Sequence, residues 1–183
     1  QGIQIWATLA GDKELMLASN VLPSEGDTPR DIYQEFANTI NEIALTSNEK
    51  ACVFFRKNPI TRKLAKSVLM ILPYGGTRHA IMGIVDKYKW NPPLRARVWL
   101  SKTLWEQACD VLSPLLKMQQ RASQAVSEHH RECPQYKYYQ WNLPNGLTVR
   151  QRYMKDKRVR ITNVIGQTIH AYRIETDTLD KRK

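Results

Sequence analysis

A chain of 183 residues with 42% hydrophobic content and five Trp can bury one core or two small lobes, which excludes a disordered chain. No apolar run approaches the roughly 20 residues of a membrane span and no secretory leader opens the sequence. Cys52, Cys109 and Cys133 are scattered without metal-ligand spacing and fit reduced thiols of an intracellular protein, while the net charge of +11 points to a polyanionic partner.

In chain order, an apolar opening from Ile3 predicts a short helix to about Leu9, broken by Gly11-Asp12. Residues 20–27 are a loop by composition. Thr28-Pro29-Arg30-Asp31 predicts a helix start, with Thr28 as cap and Pro29 at the first helical position. Ile32, Tyr33, Phe36, Ile40 and Ile43 then form an apolar face to about Ala44, on which Tyr33 reads as a core residue. After a break at 46–48 comes a short apolar segment, Lys50–Lys57. Asn58-Pro59 repeats the cap-then-proline signal and opens the next helix, which Pro73 weakens and Gly75-Gly76 ends.

On that helix Arg62, Lys66, Met70 and Tyr74 recur every four residues and form one slowly winding stripe. From Lys66 to Tyr74 the rise is about 12 Å, close to the length of a nucleoside triphosphate. Two cations at one end and an aromatic ring at the other suit a polyphosphate with a sugar and base trailing from it. The plainer alternative is an amphipathic helix with two solvated cations and a buried Met.

A helical piece over about Thr77–Lys87 follows, and Trp90-Asn91-Pro92-Pro93 breaks it. The longest periodic stretch runs from Leu94 to about Arg131, with Leu104, Ala108, Val111, Leu115, Met118 and Ala122 on one face. His129 and His130 are adjacent, face different directions on a helix, and read as its basic end rather than as metal ligands. Past Cys133-Pro134 the texture changes. Tyr136–Leu143 and Leu147–Met154 flank Pro144-Asn145-Gly146, a hairpin signal. Val159–Val164 and Thr168–Ile174 predict a second ribbon turning near Gly166, with a flexible polar tail over Thr176–Lys183. Residues 147–183 carry ten Lys/Arg against four Asp/Glu, with Tyr153, His170 and Tyr172 interleaved among Arg150, Arg152, Arg160 and Arg173, a pattern that favours nucleic acid.

The spacing of Arg62, Lys66, Met70 and Tyr74-Gly75 resembles motif B, the fingers helix of the single-subunit DNA-dependent RNA polymerases of bacteriophages and mitochondria. Gly2-Ile3-Gln4 is similar to the tail of that family's motif A. Asn20–Glu25 and Asp31-Ile32-Tyr33 resemble the segment between the motifs, and Leu143–Val149 the hairpin after the long helix. Related DNA polymerases share the Arg, Lys and Tyr-Gly but commonly have Phe where Met70 stands. His79 departs from the pattern, since phage enzymes have an aromatic there.

The resemblance implies a mainly α fold with a β-hairpin portion (α+β), the fingers and part of the palm of a right-hand polymerase. A helical segment would span 1–132 and a β-hairpin segment 133–183. It implies an enzyme that adds ribonucleotides to RNA on a DNA template, with DNA template and promoter, RNA product, nucleoside triphosphates and the rest of the polymerase chain as partners, and no membrane. Arg62 would offer a planar fork and Lys66 a point charge to the triphosphate, Lys66 also protonating the departing pyrophosphate. Tyr74 would stack and select the ribose, with Met70, Gly75 and Tyr33 beside it. Gly2 would leave room for the 2′-hydroxyl where the DNA polymerases have a Glu. Arg160, Thr162, Arg173 and Glu175 on the second ribbon are candidates for promoter base contacts, with phosphate contact or plain solvation as the alternative. Catalytic Mg²⁺ is implied, but its motif A and motif C aspartates would fall just before Gln1 and beyond Lys183. The chain then reads as an inactive fragment of the enzyme, acting in a phage- or prophage-bearing bacterial cytoplasm in preference to a mitochondrion. Two other readings stay open: a non-catalytic basic nucleic-acid-binding module derived from a polymerase, and a related DNA polymerase, against which Gly2 and Met70 argue.

Overall fold

The computed structural model describes residues 2–24, 28–88, 91–133, 138–152 and 154–179, with backbone alone for 138–139, 152, 154, 156, 158–159, 161, 169–175 and 177–179. The chain divides into two compact units, Gln1–Gln119 and Gln120–Lys183. It is mainly α with two antiparallel β-ribbons. No helix among the described residues is long and apolar enough to cross a membrane.

The first unit opens with α1 (Gly2–Ala10) and α2 (Lys13–Ala18). Helix α2 lies outside the elements expected from the sequence. Its signal was local, because the Asp12 carboxylate accepts from the Leu15 N–H at 2.8 Å as an N-cap. Helix α3 (Ile32–Thr46) starts later than the Thr28-Pro29 signal predicts. Asp31 is its cap, accepting from the N–H groups of Tyr33 and Gln34. The reason lies ten residues back: the Asn20 amide donates to the Arg30 carbonyl at 2.7 Å and accepts from the Arg30 N–H at 3.0 Å. With both of its backbone groups engaged outside a helix, Arg30 cannot join one.

The same device displaces the next start. Asn58 does not cap the motif-bearing helix; it ends α4 (Val53–Lys57), its side chain donating to the Phe54 carbonyl. Asn41 then clamps Ile60, accepting from its N–H at 2.7 Å and donating to its carbonyl at 3.1 Å. Helix α5 (Arg62–Ile71) therefore begins after Thr61, whose hydroxyl is spent on a hydrogen bond with that of Tyr88.

Helices α6 (Arg78–Asp86) and α7 (Leu94–Val111) follow. The predicted long helix is two: α7 stops at Leu112 and α8 (Ser113–Glu132) begins. Pro114 explains the break, since it offers no N–H and its ring crowds the carbonyl four residues earlier. Leu104, Ala108, Leu112 and Leu115 are buried in the core with Phe36, Ile40, Leu64, Val68, Leu69, Leu72, Ile81 and Leu100, whereas Ala122 is exposed. Phe55 stacks on Trp99 at 5.7 Å between centroids and meets Phe54 edge-on at 5.3 Å.

In the second unit β1 (Tyr138–Asn142) pairs with β2 (Thr148–Arg152) across the Asn145-Gly146 turn. The second ribbon joins β3 (Met154–Thr162) to β4 (Thr168–Leu179) and is longer than expected. Thr176 to Leu179 belong to β4 rather than to a flexible tail, and the Thr176 hydroxyl donates to the Lys155 carbonyl at 2.7 Å. The expectations for Trp90, for Pro134 and Tyr136, for Tyr153 and for residues 25–27 and 180–183 lie outside the described residues.

Candidate functional site

Helix α5 divides sharply by face. Leu64, Ala65, Val68 and Leu69 are buried, and Leu72 continues their row into a 3-10 turn, Leu72–Tyr74. On the other side Arg62, Lys66, Met70 and Tyr74 are all exposed. The buried Met of the plainer reading is not found, as Met70 is 44% and Tyr74 76% exposed. A large apolar side chain and an aromatic ring held in solvent beside two cations form a surface with unspent binding capacity. The stripe ends at a glycine pair. Gly75 (φ +77°) donates to Leu72 and Gly76 to Ile71, closing the last carbonyls, and a Cβ on Gly76 would meet the Ile71 carbonyl oxygen at 2.8 Å.

Tyr33 is the meeting point. Packed against the core from α3 but only half-buried, its ring lies 5.5 Å from the Arg62 guanidinium carbon and 5.9 Å from Lys66 Nζ. Both distances are within cation–π range. Arg62 is tied by its Nε to Asp31 at 2.5 Å. That hydrogen bond is the main reason the Asp31 carboxyl titrates below its ordinary range, helped by the N–H groups of Gln34 and Tyr33 and opposed by burial. The same carboxylate raises the Arg62 guanidinium above its ordinary value. Asp31 thus joins the start of α3 to the start of α5, and leaves the terminal nitrogens of Arg62 to other ligands.

Beside the ring, Gly2, Ile3, Tyr33, Met70, Pro73 and Tyr74 line a cavity of about 300 Å³. A second, of about 500 Å³, continues past Ile3 and Tyr33 to Asp31 and Arg62. Gly2 sits hard against the 3-10 turn, where an added Cβ would lie 3.1 Å from Pro73 Cβ and 3.1 Å from the Tyr74 hydroxyl. Four residues singled out from the sequence, Gly2, Tyr33, Met70 and Tyr74, therefore share one cavity, with Arg62 and Lys66 against the Tyr33 ring. Gly75 does not line it but sets the end of the turn that carries Tyr74. Sequence reasoning missed Ile3 and Pro73 as lining, and Gln119, whose amide donates to the Pro73 carbonyl at 2.9 Å and steadies the turn. Only a tertiary contact reveals Gln119. The tie of Asp31 to Arg62 has no local signature either.

In the second ribbon Arg160 and Thr162 are exposed and face His170 and Thr168 in register, and Arg160 donates to the Thr168 hydroxyl at 3.4 Å. Glu175 pairs with Asp156 through the backbone and Arg173 lies on β4, but the side chains of Arg173 and Glu175 lie outside the described residues. Among the described residues no three His, Cys, Asp or Glu gather to hold a metal. These residues do not fit the implied Mg²⁺, and the arrangement offers anion binding by organic cations. His79 is exposed on α6.

No curated protein matches the chain. A family model described as DNA-dependent RNA polymerase matches residues 1–183, which carry the cation stripe, the Tyr33 cavity and both ribbons alike. By that match the chain belongs to the DNA-dependent RNA polymerase family, of the single-subunit phage and mitochondrial type.

Proposed function

We propose that the Tyr33 cavity and the α5 cations bind the incoming ribonucleoside triphosphate of a transcribing polymerase, the chain forming its fingers and part of its palm. The observation that carries this is the shared cavity of Gly2, Tyr33, Met70 and Tyr74, with Arg62 and Lys66 within 6 Å of the Tyr33 ring. Phosphoryl transfer calls on the protein mainly for positioning and for neutralising phosphate charge. Arg62 supplies its terminal N–H groups to phosphate oxygens, and Lys66 follows the charge that builds on the departing pyrophosphate and donates a proton to it. Tyr74 stacks on the base pair being formed and turns its hydroxyl to the sugar. Gly2 leaves the sugar pocket open. The second ribbon lies in the DNA major groove, with Arg160, Thr162, Arg173 and Glu175 toward base edges.

The test is Tyr74→Phe in a polymerase carrying this segment. The ring and its stacking remain, while the hydroxyl partner of the ribose is lost, and a site built around a substrate hydroxyl penalises the analogue that leaves its polar group unpaired. The ratio of kcat/KM for an NTP over its dNTP should fall more than the NTP rate itself. A fixed ratio with both rates lowered would leave Tyr74 a stacking role alone. Arg62→Ala and Lys66→Ala should each lower incorporation by about 10²-fold or more.

A further inference from the structure

The tip of the second ribbon carries a feature that the arginine contacts do not use. Val164 is fully exposed and Ile165 is 75% exposed, side by side in a turn where polar residues are the norm. The turn is not loose. The Asn163 side chain accepts from the N–H groups of Ile165 at 3.2 Å and Gln167 at 2.8 Å. The Asn163 N–H donates to the Gln167 carbonyl at 2.9 Å, Gly166 donates back to Asn163 at 3.0 Å, and Gly166 holds the left-handed φ of +78°. Two apolar side chains are thus presented outward on a braced support. The strand that leads into the turn is cationic: β3 has four Lys/Arg against one Asp, whereas β4 has Arg173 against Glu175 and Asp177. An apolar point at the end of a basic arm is complementary to a surface that is anionic at its rim and apolar at a spot on its floor.

We infer that Val164 and Ile165 contact thymine methyl groups on the floor of the DNA major groove. A two-stranded ribbon fits that groove, and its tip goes deepest. The base edges there are hydrogen-bonding groups except for the thymine C5-methyl, so that methyl is the feature an apolar tip can recognise. Lys155 and Lys157 on β3 meanwhile lie against the phosphate rims, where they supply sequence-independent attraction. The inference rests on the ribbon binding duplex DNA.

The experiment titrates the 183-residue chain, by fluorescence anisotropy at several salt concentrations, against a 30-base-pair dA·dT duplex and against the same duplex with deoxyuridine for thymidine. Losing the methyls should weaken binding about four-fold if one is buried and about fifteen-fold if two are, with the salt dependence unchanged. Val164→Ser/Ile165→Ser should bind both duplexes alike, at the level of the wild type on the deoxyuridine duplex. Arg160→Ala should weaken both by the same factor and keep the preference for thymine. Equal wild-type binding to the two duplexes would overturn the inference while the ribbon's role in DNA binding stood. No binding to either duplex would overturn both. Loss of a self-associated form in the tip variant, with its thymine preference intact, would make a second copy the occupant and sink the thymine contact. The wild-type comparison needs no variant, so a misfolded mutant cannot mask the answer.

Discussion

Replacing Gly2 by Ala tests the contact on which the cavity depends. The new Cβ would lie 3.1 Å from Pro73 Cβ, 3.1 Å from the Tyr74 hydroxyl and 3.3 Å from Tyr74 Cζ. Carbon atoms pack best at about 3.5–4.0 Å, so something must yield by a few tenths of an ångström. Pro73 is buried and its carbonyl is held by Gln119, whereas the Tyr74 ring is mostly in solvent and free to swing. An unrelieved overpacking costs about 1–3 kcal/mol. Alanine in place of glycine returns up to about 1 kcal/mol of helix propensity, less at this first position of α1. The net loss should be about 0–2 kcal/mol. In a Tyr74→Phe background the hydroxyl contact is gone while those to Pro73 Cβ and the ring Cζ remain, so Gly2→Ala should cost about 0.5–1 kcal/mol less there. Urea unfolding of the wild type, the two single variants and the double variant measures this coupling. Additivity within about 0.3 kcal/mol would show that Gly2 does not bear on Tyr74, and the account of the cavity wall would fail.

Asp31 has two duties that substitutions can separate. Asp31→Asn keeps one acceptor oxygen for the α3 cap but puts an N–H donor or nothing against Arg62 Nε, whereas Asp31→Ala loses cap and tie together and should cost about 0.5–2 kcal/mol for the cap. Urea unfolding should rank Asn as the milder, and equal losses would mean that the cap contributes little. Because Arg62 and the α3 N–H groups depress the Asp31 pKa, its contribution is present above the unfolded value near 4 and is lost as pH falls through the lower folded value. The stability gap between wild type and Asp31→Asn should therefore be full at pH 7 and narrow below about pH 4; a gap that widens in acid would contradict the pairing. In the core, Phe55→Ala removes a buried ring stacked on Trp99 and should cost about 3–5 kcal/mol by the same assay. A loss under 1 kcal/mol would mean that the helices can close over the gap.

Much of the secondary structure is local in origin and legible in the residues. The apolar rows of α3 and α5, the Thr77 cap of α6 and the Gly146 and Gly166 turns of the two ribbons each follow from a side chain acting within a few positions of itself. The stripe of Arg62, Lys66, Met70 and Tyr74 was readable for the same reason, because helical periodicity alone places the four on one side. Where the sequence misled, a distant partner outbid a local signal. Thr28-Pro29 and Asn58-Pro59 both look like helix starts, yet Asn20 and Asn41 each take the N–H and carbonyl of a residue lying between the signal and the helix. The site itself is a tertiary product. Periodicity assigns Tyr33 to the core face of α3, and only the packing of α3 against α5 leaves it half-buried beneath two cations. Gly2 and Tyr74 stand 72 positions apart, and no local rule relates them. What joins them is burial: Ile3 and Ala7 on one helix and Leu72 and Pro73 on the 3-10 turn leave water together, and Gly2, lacking a side chain, leaves room for the Tyr74 hydroxyl beside that seam.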